Sequence, residues 1–249
     1  MKCILLILFS FSIGLIQAQD VSYLIKEAEK FEKEKKDDEA LKKYQDALQV
    51  APGDERSLFK CSELSSIIGS RQSDKKLRSD YFSAAKTYAT TALNQNTRSA
   101  DANYAMALAI EKSAMNSGSK EKLQQIGDVK RYLDSALAVK PDHARALYLL
   151  GKWNMDVTNL NMAEKTALKT LFGGTKSASV PEAINEFEKA RKADPNYLLT
   201  YLDLAKAYKI NGQSDKSIEM LNHLLKLPPK TADDNGYKAE GKILLESLL

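Results

Sequence analysis

Residue types that carry chemistry are scarce in this chain. Two cysteines and two histidines among 249 residues leave little material for a metal centre or a thiol catalyst. His143 follows a proline and His223 lies near the C-terminal end; neither stands at metal-ligand spacing from a cysteine or an acid. Glycine is limited to 11 residues and proline to 6. No glycine-rich phosphate loop occurs, and no serine sits in a glycine-flanked elbow. Runs of β-branched residues are few, which removes the usual material of strands. An excess of one charge is missing as well: 37 Lys and Arg against 33 Asp and Glu give +4, too mild to demand nucleic acid or an anionic membrane. These absences argue against an enzyme, a cofactor or a bound metal.

One long apolar run is present. "CILLILFSFSIGLI", Cys3 to Ile16, has fourteen residues, short of the roughly 20 that a spanning helix needs. With Lys2 before it and "QAQD" after it, the run reads as a secretory signal peptide over residues 1–18, cut after the small residue Ala18. The alternative is an uncleaved N-terminal membrane anchor. On the first reading, residues 19–249 form one exported domain, periplasmic or secreted, and loss of Lys2 lowers the charge from +4 to +3. Cys61 is then the one cysteine left. It forms no internal disulfide, so the domain must rest on its apolar core. Lying among apolar residues, Cys61 reads as a small buried hydrophobe.

What is abundant is helical periodicity, and it repeats. From Val21 to Asp54, a span of 34 residues, come Leu24, Ala28, Phe31, Ala40, Tyr44, Ala47 and Pro52. This resembles the tetratricopeptide repeat, whose 34-residue unit places large, small and aromatic residues at these positions and a proline near its end. Two helices approach closely only where small side chains meet, here Ala28 and Ala40, and Pro52 stops the second helix. A second copy runs from Leu198 to Thr231, with Tyr201, Leu204, Ala205, Tyr208, Ser217, Leu221, Leu224 and Pro229 in the matching places and Asn211-Gly212 at the turn. Between these copies Asn96, Pro141 and Pro195 hold the proline position, giving spacings of 44, 45, 54 and 34 residues. The expected fold is all-α: a right-handed α-solenoid of about five tetratricopeptide-like helix pairs. Its middle three pairs carry insertions, and "ADDNGYKAEGKILLESLL" supplies a closing helix capped by Asp233 or Asp234.

The insertions differ in character. "GSRQSDKKLRSD" (Gly69 to Asp80) reads as a lengthened turn or loop with solvated charges, and "NSGSKEKLQQIGD" (Asn116 to Asp128) as a flexible start that resumes helix. "NMDVTNLNMAEKTALKTLFGG" (Asn154 to Gly174) carries Leu160, Ala163, Ala167, Leu168, Leu171 and Phe172 at spacings of three and four, one face of a helix. Asn159 is expected to cap it and Gly173-Gly174 to end it. The helix is either extra core or the wall of a ligand cavity.

First-helix positions of such repeats line a concave face. In repeats one and two, three of the ten such positions are apolar; in repeats three to five, eight of fifteen are. An oily inner wall requires a cover, either the inserted helix or an apolar ligand. The expected groove residues are Asn103, Arg145, Tyr148, Lys152, Leu199, Leu202, Lys206 and Lys209, the cations among them being suited to a carboxylate or phosphate.

The second half shows a narrower likeness. "LLGKW" (Leu149 to Trp153), the "TLFGG" ending, "SVPEAINEFEKARKADPNY", "LAKAYK" and the closing "KAEGKILLESL" resemble the regulator of microtubule dynamics family, from about Ala84 to the C terminus. The resemblance implies a tetratricopeptide-like domain without catalysis, in a family associated with microtubules or membranes and credited with phospholipid binding. The resulting expectation is an exported, non-catalytic scaffold that holds a protein or peptide partner in its groove. The alternative is a carrier of a phospholipid or other amphipathic molecule, in a cavity made by repeats three to five and the 155–172 helix. No nucleic acid, metal or cofactor is expected.

Overall fold

The computed structural model describes residues 20–114, 119–172 and 178–249. The expected signal peptide (1–18) lies outside them, as do the beginning of the second insertion and the Gly173-Gly174 helix end. Among the described residues twelve helices follow one another: α1 (20–33), α2 (Asp37–Val50), α3 (Glu55–Arg71), α4 (Lys75–Gln95), α5 (Ala100–Ser113) and α6 (Ser119–Val139). Then come α7 (Ala144–Thr158), α8 (Met162–Phe172), α9 (Val180–Ala193), α10 (Leu198–Ile210), α11 (Ser214–Lys226) and α12 (Asp234–Glu246).

The pairs are α1–α2, α3–α4, α5–α6, α7–α9 and α10–α11, with α12 packed on α10 and α11. This is the expected solenoid of five helix pairs and a closing helix. Short polar caps start the helices. Asp54 accepts the Ser57 amide at 2.7 Å, Asp74 the Leu77 amide at 2.7 Å, and Ser99 the Ala102 amide at 3.2 Å. Ala28, Ala40, Tyr44 and Ala47 are all fully buried, so small residues do lie where the first pair crosses. In the fourth pair Gly151 has this role, because a Cβ there would stand 2.6 Å from the Phe187 ring.

The turns at the two ends of the array share one geometry. Gly212 has φ +73°, and the Gln213 amide donates back to the Tyr208 carbonyl at 2.9 Å. Lys35 holds the same place after α1 with φ +61°, and the Lys36 amide donates to the Phe31 carbonyl at 2.9 Å. Both are helix ends closed through a left-handed residue, a conformation natural for glycine and costly for lysine.

The insertions make helix. The first lengthens both α3 and α4, to 17 and 21 residues, leaving only Gln72 to Asp74 between them; no loop forms. The second lengthens α6 to 21 residues. The third is α8, and it lies against α6. Leu168 is 1% and Leu160 8% exposed within the main core. The added length of α6 leaves apolar surface at Ile126 and Val129, and α8 and the start of its loop help bury it. The stripe is thus extra core on α6, and Leu160 and Glu164 at the start of this segment border a second cavity of about 540 Å³ with Ile126, Leu149, Lys152 and Trp153. Its cap is two residues later than expected. Asn161 accepts the Glu164 amide at 2.9 Å while Glu164 accepts the Asn161 amide at 2.9 Å, a reciprocal capping box; Asn159 ends α7.

Candidate functional site

The first helices of the pairs, α1, α3, α5, α7 and α10, line the concave face. A cavity of about 440 Å³ lies there, bounded on its far side by Lys230, Thr231, Asp233 and Tyr237. Of its 24 lining residues 13 are charged, eight basic and five acidic, so the wall carries a mild cationic excess. Between these charges the wall is formed by Leu64, Ile67, Leu108, Leu149, Leu199 and four tyrosines, so apolar surface is present as well. Ala107, Ile110, Tyr148 and Leu202 are between 0 and 8% exposed, packed between neighbouring helices. The chain's own C-terminal segment forms one side of the cavity.

A continuous polar line runs along the floor. Lys60 Nζ lies 3.2 Å from Glu32 and 3.0 Å from Glu63. Arg145 reaches Glu63 at 3.6 Å and sets its guanidinium 4.0 Å from the Tyr197 ring centre. Tyr197 meets Tyr148 edge to face at 5.2 Å, and the Tyr148 hydroxyl donates to Asp203 at 2.7 Å. Lys206 then bridges Asp203 and Glu240, each at 3.0 Å. Burial alone would push the Glu63 carboxyl up, but Lys60 and Arg145 together outweigh it and hold it below its usual range. Glu111 behaves alike: burial raises it, Lys112 and Lys152 win.

The expected groove residues divide by position. Arg145, Tyr148, Lys152 and Leu199 line the cavity, Lys152 being paired with Glu111 at 2.7 Å and Asp156 at 3.1 Å. Asn103 is 3% exposed and donates to the Thr97 and Ser99 carbonyls, supporting the start of α5. Leu202 is fully buried. Lys206 and Lys209 face α12, the latter donating to Ser247 at 3.2 Å. Sequence reading put Glu63 at a groove position and Asp233 at a helix cap without a partner for either, and it passed over Tyr197 and Arg71. For Glu63 a signal existed: a carboxylate at a first-helix groove position, between the apolar Cys61 and Leu64, must find cations. Arg71, expected to be a solvated charge, is exposed yet fully paired. Its Nε and Nη2 donate to the two oxygens of Asp233 at 2.8 and 2.7 Å, and its Nη1 to Asp37 at 2.6 Å.

Two chemistry-bearing groups elsewhere have structural roles. His143 Nδ1 accepts the Ala146 amide at 3.1 Å, so Nε2 carries the proton and donates to Asp101 at 2.9 Å; the ring is a helix cap. Cys61 is fully buried, and burial pushes its thiol up to about 12. Among the described residues no group of three or more His, Cys, Asp or Glu is placed to hold a metal ion.

Helix pairs stacked into a curved array with a first-helix groove define a tetratricopeptide-type solenoid. Solved structures agree on the fold. A thermophilic TPR protein from Thermus thermophilus matches with a TM-score of 0.63 at 14% identity, over 90% of this chain and 99% of that one. Yeast Tom70 matches at 0.55 and 14% identity, over 93% of this chain and 40% of that one. The family model "Regulator of microtubule dynamics protein 1-3" matches residues 24–249, and the chain belongs to that family. The likeness therefore extends well N-terminal of Ala84, where motif reading began it. Regulator of microtubule dynamics protein 3 of Bos taurus is 27% identical over 64% of this chain and 34% of its own length. Regulator of microtubule dynamics protein 2 of Rattus norvegicus is 33% identical over 48% of this chain and 29% of its own. The chain thus spans about a third of the length of these relatives.

The relatives correct the expected destination. They are named for microtubule dynamics, a process of the cell interior, and the periplasmic or secreted localisation read from Cys3 to Ile16 is withdrawn. Among the described residues no helix is long and apolar enough to cross a membrane.

Proposed function

We propose that this chain is a non-catalytic scaffold that holds a segment of a partner protein on the concave face of its first helices. The observation that carries this reading is the arrangement at Arg145: a guanidinium stacked on Tyr197, paired with the buried Glu63, and still one-third exposed toward the cavity. Such a group is pre-oriented and retains free donors for a carboxylate or a main-chain carbonyl. Large aromatic and arginine side chains at the centre of a concave surface are the usual carriers of binding energy. The carrier alternative has no group held as specifically as Arg145 to carry it.

Selection of ligands for the full chain from a displayed random-peptide library tests the reading. Selected peptides should lose affinity by about tenfold or more with Arg145→Ala, the cost of truncating a central anchor. Lys192→Ala, at an exposed position on α9, should leave affinity unchanged. A library that yields no ligand, or ligands indifferent to Arg145→Ala, overturns it. The family name adds a narrower proposal, that the held segment belongs to a component of microtubules. Co-sedimentation of the full chain with assembled tubulin, reduced by Arg145→Ala, supports this; a chain left in the supernatant refutes it.

A further inference from the structure

The chain's own C-terminal segment forms one side of the cavity on the concave face. The segment joining α11 to α12 crosses from the last repeat to the first two. Asp233 lies 162 positions from Arg71 in sequence, yet makes two parallel hydrogen bonds to it. Arg71 also holds Asp37 at the start of α2, so one guanidinium ties together the end of α3, the start of α2 and the start of α12. Glu240 of α12 repeats the pattern on Lys206 of α10. In both places a carboxylate from the C-terminal segment sits on a cation of a first helix.

The space left over matters. About 440 Å³ falls in the range of small-molecule pockets, about 300–1,000 Å³, not that of an open channel for an extended peptide. A partner segment of several residues therefore enters only if the connecting strap moves. The strap is built to move more easily than the helices around it. Residues 227–233 have no regular structure, and Arg71, Asp37 and Asp233 keep partial access to solvent. α12, by contrast, is fixed to α11, where a Cβ on Gly241 would stand 2.5 Å from Leu224. Asp234 is 2% exposed and holds the Lys230 and Thr231 amides, so the strap keeps its own turn when it swings.

We infer that the 227–233 strap is an internal stand-in for the partner: its Asp233 occupies Arg71, and the partner is an acidic peptide segment whose carboxylate takes that place. The inference rests on the groove reading above and adds the partner's charge and the means of entry. The lining supports an anionic guest on its own, with eight bases against five acids once Asp233 is counted among the latter, and with Lys33 and Lys230 forming no ion pair among the described residues. Removing Asp233's charge makes the lining more cationic and releases the Nε and Nη2 edge of Arg71, while Nη1 stays on Asp37.

The test uses a fluorescent deca-glutamate peptide and the full chain, with binding read by anisotropy. Asp233→Asn should tighten binding by about threefold to tenfold, because an internal competitor lowers apparent affinity by the fraction of molecules it closes. Arg71→Gln should weaken it by a similar factor. In parallel, spin labels at Ser73 and Ala232, both exposed, report the strap distance in otherwise unaltered protein. A single short distance should give way to a longer, broader one when the peptide is added. Equal or weaker binding by Asp233→Asn, with an unchanged label distance, overturns the inference. If Arg145→Ala abolishes peptide binding while Asp233→Asn does nothing, the strap falls and the groove stands. If neither variant alters binding, both fall. If deca-glutamate binds no variant, the acidic partner and the strap's role fall together, and the groove is judged by its own peptide library.

Discussion

Glycine at three positions shows how one residue type takes opposite values here. Gly151 lets α7 and α9 approach, and a Cβ would strike the Phe187 ring at 2.6 Å. Gly236 lies in α12 with nothing within 4 Å of such a Cβ. Gly151→Ala should therefore destabilise by about 1–3 kcal/mol through overpacking, less about 1 kcal/mol of helix propensity. Gly236→Ala should stabilise by up to about 1 kcal/mol. Urea midpoints of the two variants check the pair, and shifts of the same sign would contradict the packing at α7 and α9. Lys35 is the mirror case, a left-handed residue where the matching turn has Gly212. Lys35→Gly should raise the urea midpoint, relieving about 1 kcal/mol of steric cost. Charge at the residue scale centres on Glu63. Its carboxyl is held below the ordinary 4.5, so its stabilising contribution is present above pH 4.5 and is lost as pH falls through the lowered value. Glu63→Gln should cost about 3 kcal/mol near neutral pH, the low end for one partner of a buried pair because Arg145 keeps solvent access. The gap between variant and wild-type melting temperatures should close as the pH drops below 4.5; a constant gap would place Glu63 outside the ion network.

At the scale of elements, α8 is explained by its neighbour. α6 is 21 residues long, and a longer helix exposes more apolar surface at its start; Leu168 and Leu160 bury it. Leu168→Ala should cost about 2–5 kcal/mol, whereas Met162→Ala, 79% exposed, should change the urea midpoint hardly at all. Equal effects at the two sites would mean that α8 is not docked. The contrast between these elements also shows what could be read in the sequence. Ala28, Ala40, Tyr44 and Pro52 are legible because a repeat writes the same local packing rule at each copy. The stripe on α8 announces one buried face but does not say against which helix, since any apolar neighbour satisfies it. For that reason the helix was correctly expected while the helix it packs on was left open.

For the whole molecule, closure is the property that no local pattern carried. Arg71 and Asp233 are ordinary charges in polar stretches, and their pairing appears only once the array curves far enough to bring its ends together. Of the groove, Arg145, Tyr148, Lys152 and Leu199 followed from repeat register. Lys206 and Lys209 did too, but the closing helix claims them. Asn103 and Leu202 were expected in the groove and are buried, because register shows which face a residue takes, not how deeply the next helix buries it. A solenoid closed by its own C-terminal segment, with a cationic inner face, is the shape on which the functional account depends. The most direct check is amide hydrogen exchange of the full chain with and without a selected peptide ligand. The account predicts slowed exchange along α3, α5, α7 and α10, the helices that line the cavity. Slowing confined to α4, α6, α9 and α11, with the inner helices unchanged, would contradict it.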